Sequence, residues 1–225
     1  MIDQTWTIEK IVKEAPPMGW EDVFKDALPE LVHISKKLDK EAVFGHYYPP
    51  KKDLFNSFLY CPLSTVKVVI LNDQPTAKDV GMPFSLQPHD ELTQSIKNIY
   101  QELSNEYESF DSPTHGDLRS WCQQDVMLLN KCLTGGKVSH LKWDLWLGFL
   151  NKVFKAIHKV NPYCLFLLWG QEAQKIKPML PDSFIVLETA SPNGYGYHFF
   201  GCNHFKMVND ELKKRGKQPI DWQIK

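Results

Sequence analysis

The sequence predicts an α/β fold: a single three-layer domain in which a four-stranded, mainly parallel sheet is flanked by helices. Three observations predict it. Four short apolar runs, at residues 66–71, 126–130, 165–169 and 184–187, have the length and composition of buried strands. Segments with helical spacing separate them, and strands that alternate with helices pair in parallel beneath helices on both faces. The runs give way to polar, Gly or Pro residues, so their C-terminal ends open onto one rim, where such folds place their ligands.

Taken in order, helical spacing begins at Trp20 and continues to Leu38. Tyr47-Tyr48-Pro49-Pro50-Lys51 reads as a loop by its prolines, and residues 52–58 start a helical turn. The first strand covers residues 66–71. Helical spacing resumes over residues 91–107, followed by the second strand at residues 126–130. A long amphipathic helix over residues 143–160 is stopped by Asn161-Pro162. The third strand, residues 165–169, ends at Gly170, and a helix over residues 173–179 leads to the fourth strand at residues 184–187. The last helix covers residues 204–215, with Gly216 as its C-terminal stop. The chain shows neither an internal repeat nor a low-complexity tract.

The 225 residues are 43% hydrophobic and 12% aromatic, which suits one globular domain over residues 1–225 and excludes disorder as the default. No apolar run approaches the ~20 residues that span a bilayer, and the first residues lack a signal-peptide pattern. The expectation is a soluble intracellular protein of the cytoplasm, the nucleus or a viral replication site. With 26 Lys+Arg against 27 Asp+Glu, any nucleic-acid affinity must come from a local patch. His204, Lys206, Lys213, Lys214, Arg215 and Lys217 offer one, although a solvated helix face has the same composition. The five cysteines are far apart and sit in apolar surroundings, which argues for reduced, packed thiols. None has the close spacing of a zinc site.

Four rim segments carry the functional signal. The first is Asn72-Asp73-Gln74-Pro75-Thr76-Ala77, followed by Gly81-Met82-Pro83-Phe84-Ser85. The second runs from His115-Gly116-Asp117-Leu118 through Trp121 and Leu128-Leu129-Asn130 to Leu133-Thr134. The third is Leu167-Leu168-Trp169-Gly170-Gln171, with Ala173-Gln174-Lys175. The fourth is Thr189-Ala190-Ser191-Pro192, then Phe199-Phe200-Gly201-Cys202-Asn203-His204-Phe205 and Pro219-Ile220-Asp221-Trp222. In this order, and nearly end to end, the chain resembles the family-1 uracil-DNA glycosylases. Their signature loop usually reads Gly-Gln-Asp-Pro-Tyr-His after such a strand, and here only Pro75 is in place.

The resemblance implies the uracil-DNA glycosylase fold and an action on a pyrimidine rotated out of DNA into a tight pocket. It implies that Phe84 stacks on the flipped ring. It also implies that the Asn130 amide reads a uracil-type edge, accepting from N3–H and donating to O4, a pattern that rejects cytosine. By residue type alone, the alternatives are a core phenylalanine and a strand-closing turn residue. Ser95 and Gly170-Gln171 match loops that grip phosphates, which gives affinity without sequence choice. Ser191-Pro192 opens the segment in which the family carries a leucine wedge. That segment is about two residues shorter here, and Tyr195 or Tyr197 is the candidate replacement, since an aromatic wedge can stack on the remaining bases.

Hydrolysis of an N-glycosidic bond develops positive charge on the sugar and negative charge on the departing base. The resemblance implies an aspartate for the first and a histidine for the second, and this chain has Gln74 and Ser191 at those positions. Gln74 cannot ionise, and Ser191 offers one neutral hydrogen bond. A donor to the leaving group is commonly worth ~10²–10³ in rate, and general-base help ~10²–10⁴. Asp73 precedes Gln74 as though a pair had been exchanged. Neighbouring side chains of extended backbone point to opposite sides, so its carboxylate is expected to aim elsewhere unless a bulge restores it. His198 is the corresponding substitute for the histidine, with a surface role as the alternative. Thr76 and Ala77 stand where a bulky tyrosine and a histidine usually do, which widens the pocket toward the pyrimidine C5 or records relaxed selection.

The expected function is DNA binding with accommodation of a flipped pyrimidine, slow on plain uracil and open to thymine or a 5-substituted uracil. The alternatives are a non-catalytic, processivity-type replication factor and a partner-binding pseudoenzyme. The expected partners are double- or single-stranded DNA and a replication or repair protein, without a membrane, and the chain is expected to act as a monomer. No metal or organic cofactor is implied, because the chemistry needs only water and preorganised charge.

Overall fold

The computed structural model describes residues 6–41, 47–136, 145–193 and 198–225. Among them four parallel strands form the central sheet: β2 (Val68–Asn72), β3 (Val126–Asn130), β5 (Leu165–Trp169) and β6 (Ile185–Thr189). Their order is β3-β2-β5-β6. β2, β3 and β5 are buried at every position, whereas the edge strand β6 is half-buried. Continuous apolar strands of this kind require cover on both faces.

Alternation of side chains divides the core in two. Val69, Leu71, Met127, Leu129, Phe166 and Leu168 face one layer of helices: α1 (Ile8–Glu14), α2 (Glu21–Asp26), α3 (Leu28–Glu41), α4 (Asn56–Tyr60) and α7 (Leu147–Val160). Phe24, Phe58 and Phe149 meet there edge to face or tilted, with ring centroids 5.2–5.4 Å apart. Val68, Ile70, Val126, Leu128, Leu165 and Leu167 face the other layer, α5 (Gln94–Glu106), α6 (Arg119–Cys122) and α9 (His204–Lys214).

Element boundaries depart from the sequence reading where a local rule intervenes. The helix expected from Trp20 to Leu38 is two helices that meet at Ala27, because Pro29 has no N–H for a continuous ladder but suits a first turn. The expected helix at residues 173–179 is α8 (Gln171–Gln174) plus a 3₁₀ turn, Lys177–Met179, containing Pro178. The turn expected at residues 52–58 likewise divides into a 3₁₀ turn, Lys51–Asp53, and α4. Residues 143 and 144 lie outside the described residues, and α7 begins at Leu147. The first strand starts at Val68 rather than Val66, and the fourth is displaced to Ile185–Thr189 because Phe184 closes a turn onto Pro181. Gly216 ends α9 as expected: it has φ +64°, donates to the Lys213 carbonyl, and is followed by Lys217 donating back to Leu212.

The sequence reading omitted α1, α6 and a short antiparallel pair. Thr7 caps α1 by accepting from the Lys10 N–H. Tyr47–Tyr48 (β1), expected as loop, pairs with Gly135–Gly136 (β4). The cysteines are free thiols, four of them buried. Burial pushes the Cys122 thiol up to about 12. Among the described residues no helix is long and apolar enough to cross a membrane.

α9 is fastened to both neighbours. Glu102 accepts from the N–H groups of Gly201 and Asn203, and Glu106 from those of Phe205 and Lys206, so two carboxylates satisfy the start of α9. His204 is buried and its Nδ1 accepts from Trp169 Nε1 at 3.1 Å. Burial holds its pKa down to about 4 against an opposing pull from Glu102. A depressed histidine means that the unfolded chain binds more protons between pH 6.5 and 4. Its contribution is therefore complete above pH 6.5 and fades as pH falls through 4. Denaturant titrations over this window should show wild type losing up to ~3 kcal/mol relative to His204→Gln, which keeps an acceptor but does not titrate there.

Candidate functional site

Parallel register brings the ends of three strands to one level, with Asn72 opposite Asn130 on one side and opposite Trp169 on the other. The two asparagine side chains meet. Asn72 Nδ2 donates to Asn130 Oδ1 at 3.0 Å and to the Gln74 carbonyl at 2.9 Å. Both residues are buried, with exposures of 1% and 3%, and the Asn72 Oδ1 has no partner.

Beyond β2 the chain turns its acidic residue away from its neighbour's side. Asp73 Oδ1 accepts from the Ala173 N–H at 2.7 Å, and the Glu172 N–H adds a second bond. The carboxylate thus caps the short helix α8, whose first N–H groups have no partner within the helix. Burial pushes this carboxyl above its ordinary range, opposed chiefly by the Ala173 N–H, while Glu172 adds to the rise. Gly170 makes the approach possible: at φ +112° a Cβ there would lie 2.8 Å from both Asp73 oxygens. Beside them the buried Lys131 ammonium pairs with Glu172 at 3.0 Å. Gln74, next in sequence, has its Oε1 buried without a partner.

The following loop is organised by a residue the sequence reading passed over. Asp79 accepts from the Thr76 N–H at 2.7 Å, from the Thr76 hydroxyl at 2.9 Å, and from the Phe84 N–H. Burial pushes Asp79 up to about 7, against these three donors. Phe84 adopts φ +67°, a left-handed backbone that costs a side-chain-bearing residue ~1–3 kcal/mol. Its ring is buried and tilts 45° against Trp169, with centroids 5.7 Å apart. Thr76 is half-buried and Ala77 exposed.

Across the rim, the segment beginning at Ser191 is tied to the first turn of α5. Ser95 donates to Asn193 Oδ1, and Asn98 Nδ2 donates to the Pro192 carbonyl at 2.7 Å. Ser191 Oγ accepts from the Asn193 N–H at 3.3 Å, a turn within its own loop. Gln171 is exposed at the start of α8, and Gly170 donates to the Thr189 carbonyl. Tyr195 and Tyr197 lie outside the described residues.

No family model matches the chain. Among curated proteins it is 38% identical over 218 residues to the uracil-DNA glycosylase of Klebsiella pneumoniae, covering 92% of this chain and 95% of that one. It is 37% identical over 220 residues to the uracil-DNA glycosylase of Escherichia coli, covering 92% and 96%. The mimivirus uracil-DNA glycosylase crystal structure superposes with a TM-score of 0.82 at 23% identity, over 96% of this chain and 89% of that one. The chain belongs to the uracil-DNA glycosylase family.

Within that family frame, the structure gathers Asn72, Asp73, Gln74, Phe84, Asn130 and Gly170 around the ends of β2, β3 and β5. It ties Ser95, on the first turn of α5, to the loop of Ser191 and Pro192. His198 is exposed, and its carbonyl accepts from Thr189. The basic patch is reduced: His204 is core, and Lys214 and Arg215 pair with Glu211 at 3.7 and 2.7 Å. Asn72 had a sequence signal, since an asparagine closes each of two apolar strands. Asp79 had only its Thr-x-x-Asp spacing from Thr76.

The Asp79 geometry gives a pH signature. With its folded pKa raised, its contribution is complete below the ordinary carboxylate value and is lost as pH rises through about 7. Asp79→Asn keeps one acceptor oxygen for the backbone N–H groups, lets its NH2 meet the Thr76 hydroxyl, which can turn to accept, and does not ionise. Unfolding titrations should show this variant gaining ~2–4 kcal/mol relative to wild type between pH 5 and pH 8.5.

Proposed function

We propose that the protein binds DNA and receives a flipped pyrimidine at the rim of β2, β3 and β5, with hydrolysis of plain uracil strongly impaired. One observation carries the reading: the Asp73 carboxylate is spent on the N–H groups of Ala173 and Glu172, and the neutral Gln74 follows it. A sugar cation forming at this rim would then lack an adjacent carboxylate field, and no group at position 74 could orient water as a base. Ser191, engaged in its own turn, supplies at most a neutral donor to the departing base. The two deficits act on one transition state and do not simply multiply.

Recognition is better supported than catalysis. The contact of Phe84 with Trp169 and the position of Asn130 at the end of β3 support stacking on a ring and reading of its edge. Thr76 is a small side chain tied to its own loop through Asp79, which supports a pocket widened toward C5. Thymine or a 5-substituted uracil is the substrate class this favours. Phosphate grip falls to Ser95 at the start of α5 and to Gly170-Gln171, with the loop that begins at Ser191 beside the DNA. The protein acts in this reading as one domain and a monomer. A second reading, a non-catalytic DNA-binding factor for a replication or repair partner, is favoured by the same loss of ionisable groups at residues 74 and 191.

Duplexes carrying uracil, mismatched thymine or 5-hydroxymethyluracil, assayed for abasic sites, separate these readings. The expected outcome is tight binding with slow uracil release and a faster reaction on a 5-substituted base. Binding without release from any duplex would select the non-catalytic factor, and brisk release of uracil by the unmodified chain would overturn the impairment. Combining Gln74→Asp with Ser191→His should raise uracil release by ~10²–10³; no gain would point to a rim remodelled beyond these two side chains.

A further inference from the structure

The sheet has a second open end, and its five-residue strands, at ~3.3 Å per residue, put that end ~16 Å from the rim. There Lys67 precedes β2, Asp125 precedes β3 and Leu165 begins β5, and all three line a cavity of about 780 Å³. That volume falls within the ~300–1,000 Å³ of ligand-binding clefts. Val160, Pro162 and Tyr163, at and beyond the end of α7, form one wall. Leu212, Arg215 and Lys217, at and beyond the end of α9, form the other. The walls are braced. Asn161 Nδ2 donates to the Val66 carbonyl at 3.0 Å, and its Oδ1 accepts from the Tyr163 N–H at 3.3 Å. Arg215 Nη1 donates to the Tyr163 carbonyl at 2.7 Å, and its guanidinium carbon lies 5.2 Å from the centroid of the Tyr163 ring. The groove is therefore preformed, which lowers the ordering cost of an occupant. Yet Tyr163 is 60% exposed and Val160 46%, with Pro162 exposed between them. A rigidly held tyrosine beside aliphatic surface is the kind of anchor that protein interfaces use.

Charge selects the occupant. Lys67 Nζ pairs with Asp125 at 2.7 Å, and Arg215 Nε with Glu211 at 2.7 Å. Arg215 thus commits two of its five N–H groups to protein oxygens, and the exposed Lys217 ammonium lines the same wall. The cavity carries three cations against one anion, Lys67, Arg215 and Lys217 against Asp125, which favours an acidic ligand. A nucleic-acid backbone fits less well, because a phosphate track needs a run of free cations and two of these three already face carboxylates. We propose that this groove docks an acidic segment of a partner protein, with an apolar side chain against Val160 and Tyr163 and a carboxylate at Arg215 and Lys217. The groove and the rim occupy opposite ends of the sheet, so DNA and the partner are held at the same time. The docking groove does not depend on what the rim does to a base.

The test begins with a library of random dodecapeptides displayed on phage and panned against the full chain. Recovered peptides are synthesised with a fluorescein label and their affinities read by anisotropy. The expected sequences carry Asp or Glu beside a Leu, Phe or similar apolar residue. Lys217→Glu should weaken them about tenfold or more, the scale of one charge-assisted contact. Tyr163→Ala should weaken them about fivefold or more, the scale of an interface anchor. Both substitutions are at exposed positions and are made separately, with a thermal melt to show that each variant folds, so either one tests the groove alone. An excess of duplex DNA should leave the bound peptide in place. Failure to enrich acidic sequences overturns the docking groove. So does an affinity that survives both substitutions, or a peptide displaced by the duplex. Oligothymidylate that binds in place of peptides and is lost with Lys217→Glu assigns the groove to nucleic acid, which also overturns the proposal. Each of these outcomes leaves the rim reading to its own assay, the release of a base.

Discussion

In a parallel sheet the ends of neighbouring strands are held level by the ladder, and whatever leaves them is sorted by side. That sorting governs this rim. Asp73 follows β2 directly and its carboxylate reaches across to the Ala173 N–H, through space left by the missing side chain of Gly170. The backbone ladder continues beside it, with Lys131 donating to the Asn72 carbonyl and Cys132 to that of Asp73. The strand ends at Asn72 and the chain bends at Asp73, with the carboxylate held on the α8 side by the Ala173 N–H. The capping bond to α8 thereby fixes which of the two side chains is available to a ligand.

The charge around this cap is balanced locally. Asp73 and Glu172 are acidic neighbours, and the buried Lys131 ammonium stands against both, paired directly with Glu172. Buried charges persist when they are paired and hydrogen-bonded, and this trio meets that condition at the base of the rim. Asp79 and Glu106 show the other solution. Each is pushed up to about 7 by burial and bonded to backbone donors, so each organises a loop or a helix start with its charge reduced relative to an ordinary carboxylate. The acidic groups near the rim are thus engaged in holding backbone in place, and their pKa shifts have structural causes.

How much of this the sequence revealed depends on the range of the interaction. Two of the four strands were legible to the residue, because a short apolar run closed by Asn or Gly has few other uses. Helix breaks at Pro29 and Pro178 were written in the chain but masked by the surrounding periodicity. The two-residue pairing of Tyr47–Tyr48 with Gly135–Gly136 was not legible, since neither segment has a strand pattern and their contact joins distant parts of the chain. The rim residues were found through family resemblance. The partner of Asp73 was not legible: a carboxylate meeting an N–H a hundred residues away leaves no local trace. Asp79 left as little trace, because its oxygens are engaged by Thr76 and Phe84 of its own loop.

The exchange of a carboxylate for an amide at residue 74 has a thermodynamic side. The Gln74 oxygen is buried and unpartnered, a defect of ~1–3 kcal/mol for a neutral group. An ionised carboxylate in the same place would cost more, because Lys131 is already engaged with Glu172 and Asp73 adds a like charge nearby. An enzyme can bear that cost because the same field stabilises a sugar cation in the transition state. A protein that only reads the base gains nothing from it, and relaxation to a neutral amide then favours the folded state. Asn130 carries no such penalty, because it is buried, hydrogen-bonded and neutral. A neutral amide at residue 74 beside a neutral, hydrogen-bonded Asn130 is therefore the combination that stability alone would select.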